Sequence, residues 1–142
     1  RSTLFPYTTL FRSGRRKMTH EMIRVFDLER SIAFYADALD MHESRRKEQP
    51  AGKFTLVFLS DGESDFELEL TYNYDPEVPY THGTGYGHLA VWVDDLEATY
   101  KEHKQKGYAV GPLKGLSGDG RKNYYFLTDP DGYQIEVIRR PQ

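Results

Sequence analysis

The chain aligns with itself. Moved 68 places along, His20 falls on His88, Val25 on Val93, and Asp27, Leu28 and Glu29 on Asp95, Leu96 and Glu97, while Phe58, Leu59 and Asp61 fall on Phe126, Leu127 and Asp129. Past Asp61 the offset drops to 67, because residues 62–65 make a four-residue turn where residues 130–132 make one of three. A hairpin turn gains or loses a residue at little entropic cost, so this is where two copies of one module would diverge. A repeat of this length restricts the fold to two copies of a single supersecondary unit.

Each copy reads as a strand, a helix and then strands. In the first, residues 20–26 make a strand and Asp27 can cap a helix whose apolar positions Leu28, Ile32, Tyr35 or Ala36, and Leu39 recur at helical spacing, ending near Met41. Residues 54–60 and 66–72 form a hairpin across Asp61-Gly62, with a weaker strand at 42–46. In the second, residues 87–93 are the strand, Asp94 or Asp95 the cap and Gly107 the helix stop. Residues 108–111 would be the middle strand, and 123–128 and 133–138 the closing hairpin around Asp129-Pro130-Asp131-Gly132. The expected fold is therefore α+β: two tandem βαβββ modules, residues 19–73 and 86–139, joined by a linker at 74–85 into one curved mixed sheet.

Composition removes several functions. With no cysteine the chain has neither disulfides nor thiolate metal ligands, so any metal must sit on His, Asp or Glu. No run of eighteen apolar residues exists to span a membrane. Residues 1–17 hold five of the 19 Lys and Arg and no acid, leaving 14 basic against 22 acidic groups, a net −8. Such a body offers nucleic acid no basic footprint. The opening segment repeats Thr-Leu-Phe at residues 3–5 and 9–11 and has no periodicity continuous with the strand at 20–26. It reads as a disordered adaptor remnant, with Met18 as the expected native start and residues 18–142 as the single domain. An Arg-rich organelle transit peptide is the alternative.

Strand alternation decides which polar side chains share a face. Phe66, Leu68 and Leu70 turn toward the helix, leaving Glu67, Glu69 and Thr71 on the other side; Tyr133, Ile135 and Val137 leave Gln134, Glu136 and Ile138. In the first strands Ile23 and Val25, like Leu89, Val91 and Val93, face the helix, which puts His20, Met22 and Arg24, and His88, Ala90 and Trp92, on the inner face. Singly, a His at a strand end or a Glu on a sheet face is commonplace. Here His20 and Glu69 recur as His88 and Glu136, with 49 and 48 residues between partners. Two imidazoles and two carboxylates suit a divalent ion such as Ni, Co, Fe, Mn or Zn. Glu67 competes with Glu69, but the second copy has Gln134 at its place.

These residues resemble glyoxalase I, the lactoylglutathione lyases of the vicinal oxygen chelate superfamily, over about residues 19–139. The most specific pieces are His20-x-Met22-Ile23-Arg24-Val25 with Asp27-Leu28-x-x-Ser31-x-x-Phe34-Tyr35, then Glu69-Leu70-Thr71-Tyr72-Asn73, Gly85-Tyr86-Gly87-His88, and Asp129-Pro130-Asp131-Gly132-Tyr133-x-Ile135-Glu136. The resemblance implies that His20, Glu69, His88 and Glu136 hold the metal, with nickel or cobalt favoured and zinc possible. It implies that Glu136 is the catalytic base with Glu69 its near-symmetric partner, that Arg24 and Asn73 bind glutathione, and that methylglyoxal hemithioacetal is isomerised to S-lactoylglutathione. A cytoplasmic homodimer with sites at its interface is implied as well. The stretch 114–122 keeps a Lys-Gly pair and then diverges, which leaves the thiol open between glutathione and another small thiol. A non-catalytic binding or resistance protein of the same fold, an epimerase and an extradiol dioxygenase are the alternatives.

Other motifs carry no chemistry. Gly83-Thr84-Gly85-Tyr86-Gly87 leads into a strand, so it is no phosphate cradle. His42, His82 and His103 lack repeat partners of their own kind and are expected at the surface. Arg45-Arg46-Lys47 reads as a solvated patch, and the dispersed tyrosines as core and sheet residues.

Overall fold

The computed structural model describes residues 16–115, 118 and 120–142. The expectation for the opening segment falls, for residues 1–15, outside the described residues. Strand β1 (His20–Arg24) leads to helix α1 (Leu28–Leu39), then β2 (His42–Gln49), a single 3-10 turn (Pro50–Gly52), β3 (Phe54–Ser60) and β4 (Glu67–Asn73). The second module has β5 (His88–Val93), helix α2 (Leu96–Gln105), β6 (Tyr124–Thr128) and β7 (Gln134–Arg139). One sheet has the order β1-β4-β3-β2 and the other β5-β7-β6. In both, the first and last strands of the module run parallel and the remaining pairings are antiparallel.

The helices begin and end where local chemistry directs. Asp27 accepts from the Arg30 N–H at 3.1 Å and Asp95 from the Ala98 N–H at 3.0 Å, each satisfying a donor that the first turn leaves unpaired. Helix α1 stops at Asp40, whose left-handed φ of 53° lets its N–H return to the Ala36 carbonyl, a conformation Asp tolerates better than most residues. Past α2, Gly107 at φ 81° reverses the chain.

Two strands differ from expectation. β2 runs eight residues rather than five, although all eight are exposed, because backbone pairing with β3 holds it as an edge strand. The middle strand expected at 108–111 does not form. There the chain makes isolated bridges from Val110 to Leu127 and from Lys114 to Tyr124, since Gly111 and Pro112 interrupt the run and Pro has no N–H to give a ladder.

The modules share one core, in which Ile23, Val25, Tyr35, Leu59 and Leu70 of the first pack in the same cluster as Leu96, Tyr125, Leu127, Ile135 and Val137 of the second. Polar contacts set the alignment. The turn after β6 enters the start of α1: Asp131 accepts from the Phe26 N–H at 2.9 Å and the Ser31 hydroxyl at 3.3 Å, and Asp129 Oδ2 accepts from the buried Tyr35 hydroxyl at 2.6 Å. Asp129 Oδ1 is held by the N–H groups of Asp131 and Tyr133 at 2.8 and 2.9 Å. Burial pushes the Asp129 carboxyl above its usual range and raises the Tyr35 hydroxyl, which the adjacent carboxylate raises further.

His103 is not at the surface, where the sequence suggested it; it is fully buried. Its Nε2 lies 2.8 Å from the Ala38 carbonyl, which can only accept, so Nε2 carries the proton and Nδ1 accepts from the Tyr125 hydroxyl at 2.8 Å. His82 is half-buried, stacked on the Tyr133 ring at 4.1 Å, while His42 is exposed as expected. Tyr35→Phe leaves a buried carboxylate oxygen without its donor and should lower the unfolding free energy by about 1.5–3 kcal/mol, read as an earlier urea midpoint at unchanged slope.

Candidate functional site

The face of each sheet turned away from the helices carries the polar residues, as alternation requires. On β1, His20, Met22 and Arg24 are exposed and Ile23 is buried; on β5, His88, Ala90 and Trp92 are exposed while the residues between them are partly covered. Parallel pairing then brings the acids of the last strands to the histidines. β1 and β4 pair His20 with Glu67 and Met22 with Glu69, and β5 and β7 pair His88 with Gln134 and Ala90 with Glu136. In each module the His reaches diagonally to the acid one pleat further on. His20 Nε2 lies 3.0 Å from Glu69 Oε1, and His88 Nε2 lies 3.1 Å from Glu136 Oε1.

The four residues are thus brought together as two equivalent pairs, one per module. Among the described residues, no three His, Asp or Glu side chains are grouped to hold one ion. Each pair is open on its outer side, with the imidazoles 37% and 41% exposed. Its spacing fits an ion as well as a hydrogen bond: donors about 2.1 Å from a metal on adjacent corners of an octahedron lie about 3.0 Å apart. On the first module Thr19 Oγ1 holds His20 Nδ1 at 2.8 Å, leaving Nε2 as the outward nitrogen.

The two acids are not alike. Glu69 is 11% exposed and accepts from the Thr71 hydroxyl at 3.1 Å. Glu136 is 20% exposed, and the residue two places on is Ile138, which has no hydroxyl to offer. Glu67, the competitor on the same face, is bound by Arg45 at 2.9 Å and by the Ser44 hydroxyl, and these hydrogen bonds hold its carboxyl below the usual range. Arg24 is exposed at the end of β1, and Asn73 at the end of β4 donates to the Tyr80 hydroxyl at 3.3 Å. Residues 45–47 are exposed, as a solvated patch requires, but sequence reasoning missed the stack of Arg45 on the Phe58 ring. The run 45–47 reads as a solvated patch because a β-bulge, which decides where Arg45 points, leaves no compositional mark.

A family model described as the Glyoxalase/Bleomycin resistance protein/Dioxygenase superfamily matches residues 17–137. A lactoylglutathione lyase of Haemophilus influenzae is 48% identical over 128 residues, covering 86% of this chain and 91% of that protein. One from Neisseria meningitidis serogroup A is 45% identical over 130 residues, covering 87% and 91%. Among solved structures, a trypanothione-dependent glyoxalase I of Leishmania major superposes with a TM-score of 0.73 at 39% identity, covering 87% of this chain and 86% of that one. The chain belongs to this superfamily and, within it, to the glyoxalase I family.

Proposed function

We propose that the protein is a lactoylglutathione lyase, a glyoxalase I type enzyme that isomerises the hemithioacetal of methylglyoxal and glutathione to S-lactoylglutathione. The observation that carries this reading is the repeated His–Glu pair, at 3.0 Å in one module and 3.1 Å in the other, on faces that a single chain leaves open. His20 and Glu69 of one chain complete their ligand set with the equivalents of His88 and Glu136 on a second copy, so the working unit is a homodimer with two sites. A divalent ion bound there, nickel or cobalt ahead of zinc, supplies the positive charge that stabilises the negative charge developing on the substrate's two adjacent oxygens.

The chain's own residues do the rest. Glu136 is the base: it removes the proton from the carbon bearing the thioether, the electron pair left behind passes to the neighbouring carbonyl, the hydroxyl proton moves to that second oxygen, and the same carboxyl returns its proton to the adjacent carbon. No atom is gained or lost, and the former hemithioacetal carbon becomes the thioester carbonyl. Glu136 suits this role better than Glu69 because no neighbouring hydroxyl tethers it. Glu69, held by Thr71, remains a ligand. Arg24 pairs with a carboxylate of the glutathione and Asn73, released from Tyr80, bonds its peptide. No helix among the described residues is long and apolar enough to cross a membrane. We place the enzyme in the cytoplasm, as the resemblance to glyoxalase I implies.

Glu136→Gln keeps the shape and removes the base, so kcat for thioester formation from methylglyoxal and glutathione should fall by at least about 100-fold. Activity near that of the parent would remove Glu136 from its role. Chelation should silence the enzyme, with nickel or cobalt restoring more turnover than zinc. A shared site also predicts complementation. His20→Ala and His88→Ala are each inactive, but in mixed dimers one of the two sites regains both imidazoles, so about a quarter of parental activity returns on mixing. Sites contained within single chains would give none.

A further inference from the structure

We propose that Arg45 and Phe58 are positioning residues that fix the His20 imidazole and make the first half-site the rigid one; this rests on the metal-dependent lyase reading. The starting point is a local irregularity. The pairing of β2 with β3 shifts between Glu43, opposite Leu59, and Arg45, opposite Phe58, so Ser44 is an extra residue. A bulge of one residue moves every later side chain of its strand to the other face. Without it Ser44 would oppose Phe58 and Arg45 would turn to the helix side. With it, Arg45 stands on the same face as His20 and Glu69.

There the guanidinium lies 3.6 Å from the centre of the Phe58 ring, a stacking distance. Glu67 holds it in place through both Nε, at 3.3 Å, and Nη2, at 2.9 Å. The bulged Ser44 ties the clamp together, its hydroxyl contacting both Glu67 and, at 3.1 Å, the Phe58 carbonyl. Phe58 in turn meets His20 at right angles, centroids 5.5 Å apart, and opposes Glu69 directly across the sheet. The ring that sets the His20 edge is therefore covered by a planar cation that cannot rotate away without breaking two hydrogen bonds.

Among the described residues, the second module repeats the ring but not the clamp. Phe126 meets His88 at 5.1 Å and opposes Glu136, as the repeat requires. Its neighbour is Tyr124, edge-on at 5.9 Å, and the strand that would carry a counterpart to Arg45 has been reduced to isolated bridges. Accordingly Phe58 is buried, at 5% exposure, while Phe126 is only partly covered. One half-site is locked and the other, which holds the proposed base, is left freer.

The test uses the full chain. The imidazole NMR resonances of the metal-free protein are assigned with His20→Gln and His88→Gln, then compared between the parent, Arg45→Met and Arg45→Lys, and each protein is titrated with cobalt(II) by calorimetry. Arg45→Met should shift or broaden the His20 resonances, leave those of His88 in place and weaken cobalt binding about tenfold. Arg45→Lys should not restore either, since an ammonium neither stacks as a plane nor bonds bidentately. Unmoved His20 resonances overturn the proposal. So does a common shift of both histidines with a lowered Tm, which would mark general destabilisation. If the parent binds no ion yet His20 alone responds to Arg45→Met, the positioning role stands and the lyase reading falls.

Discussion

Everything at the site depends on the parallel pairing of the first and last strands within each module. That ladder places residue 20 opposite residue 67 and residue 88 opposite residue 134, so each His stands one pleat from an acid on its own face. Parallel partners cannot be joined by a tight turn; they need a crossover, and α1 and α2 begin those crossovers while covering the apolar side. The helix covers one face of the sheet and so leaves the other as the only place where His20, Glu69, His88 and Glu136 can meet anything. A slip of one residue in either ladder would send the imidazoles into the core.

The repeat is obeyed where it builds the His–Glu pairs and broken where the modules meet. Asp129 and Asp131 reach out to Tyr35, Ser31 and Phe26, but Asp61, which falls on Asp129 in the self-alignment, keeps its carboxylate for the Glu63 and Ser64 N–H groups of its own turn. Tyr35 falls on His103, and both are buried, yet the first binds a carboxylate and the second a carbonyl and a phenol. The two seams thus hold different chemistry at matching positions. The Asp-Pro-Asp-Gly turn, a prominent part of the family resemblance, packs the second module against the first helix.

Much of this was legible from the residues. Identical offsets gave identical ladders, Asp27 and Asp95 cap helices as their placement before apolar runs suggests, and alternation correctly assigned the inner face of β1, β4, β5 and β7. Three things were not. β2 is written in charged and polar residues with no alternation to guide a reading, since backbone pairing with β3 is what holds it as a strand. The bulge at Ser44 is a matter of hydrogen-bond register, so the stack of Arg45 on Phe58 could not be seen. The burial of His103 depends on Ala38 and Tyr125, 65 and 22 residues away, and nothing near it in the chain signals that.

The docking of the last hairpin turn on α1 also sets an order of events during synthesis. The N–H of Phe26 and the hydroxyls of Ser31 and Tyr35 find their acceptors about 100 residues downstream, at Asp129 and Asp131. Until the ribosome has released that turn, the amino-terminal helix has a core face and polar groups with nothing opposite them. Contacts so distant along the polypeptide are slow to close. The nascent first half therefore waits, partly unsatisfied, until the turn at residues 129–132 has been made, and that interval is when a chaperone would have most to hold.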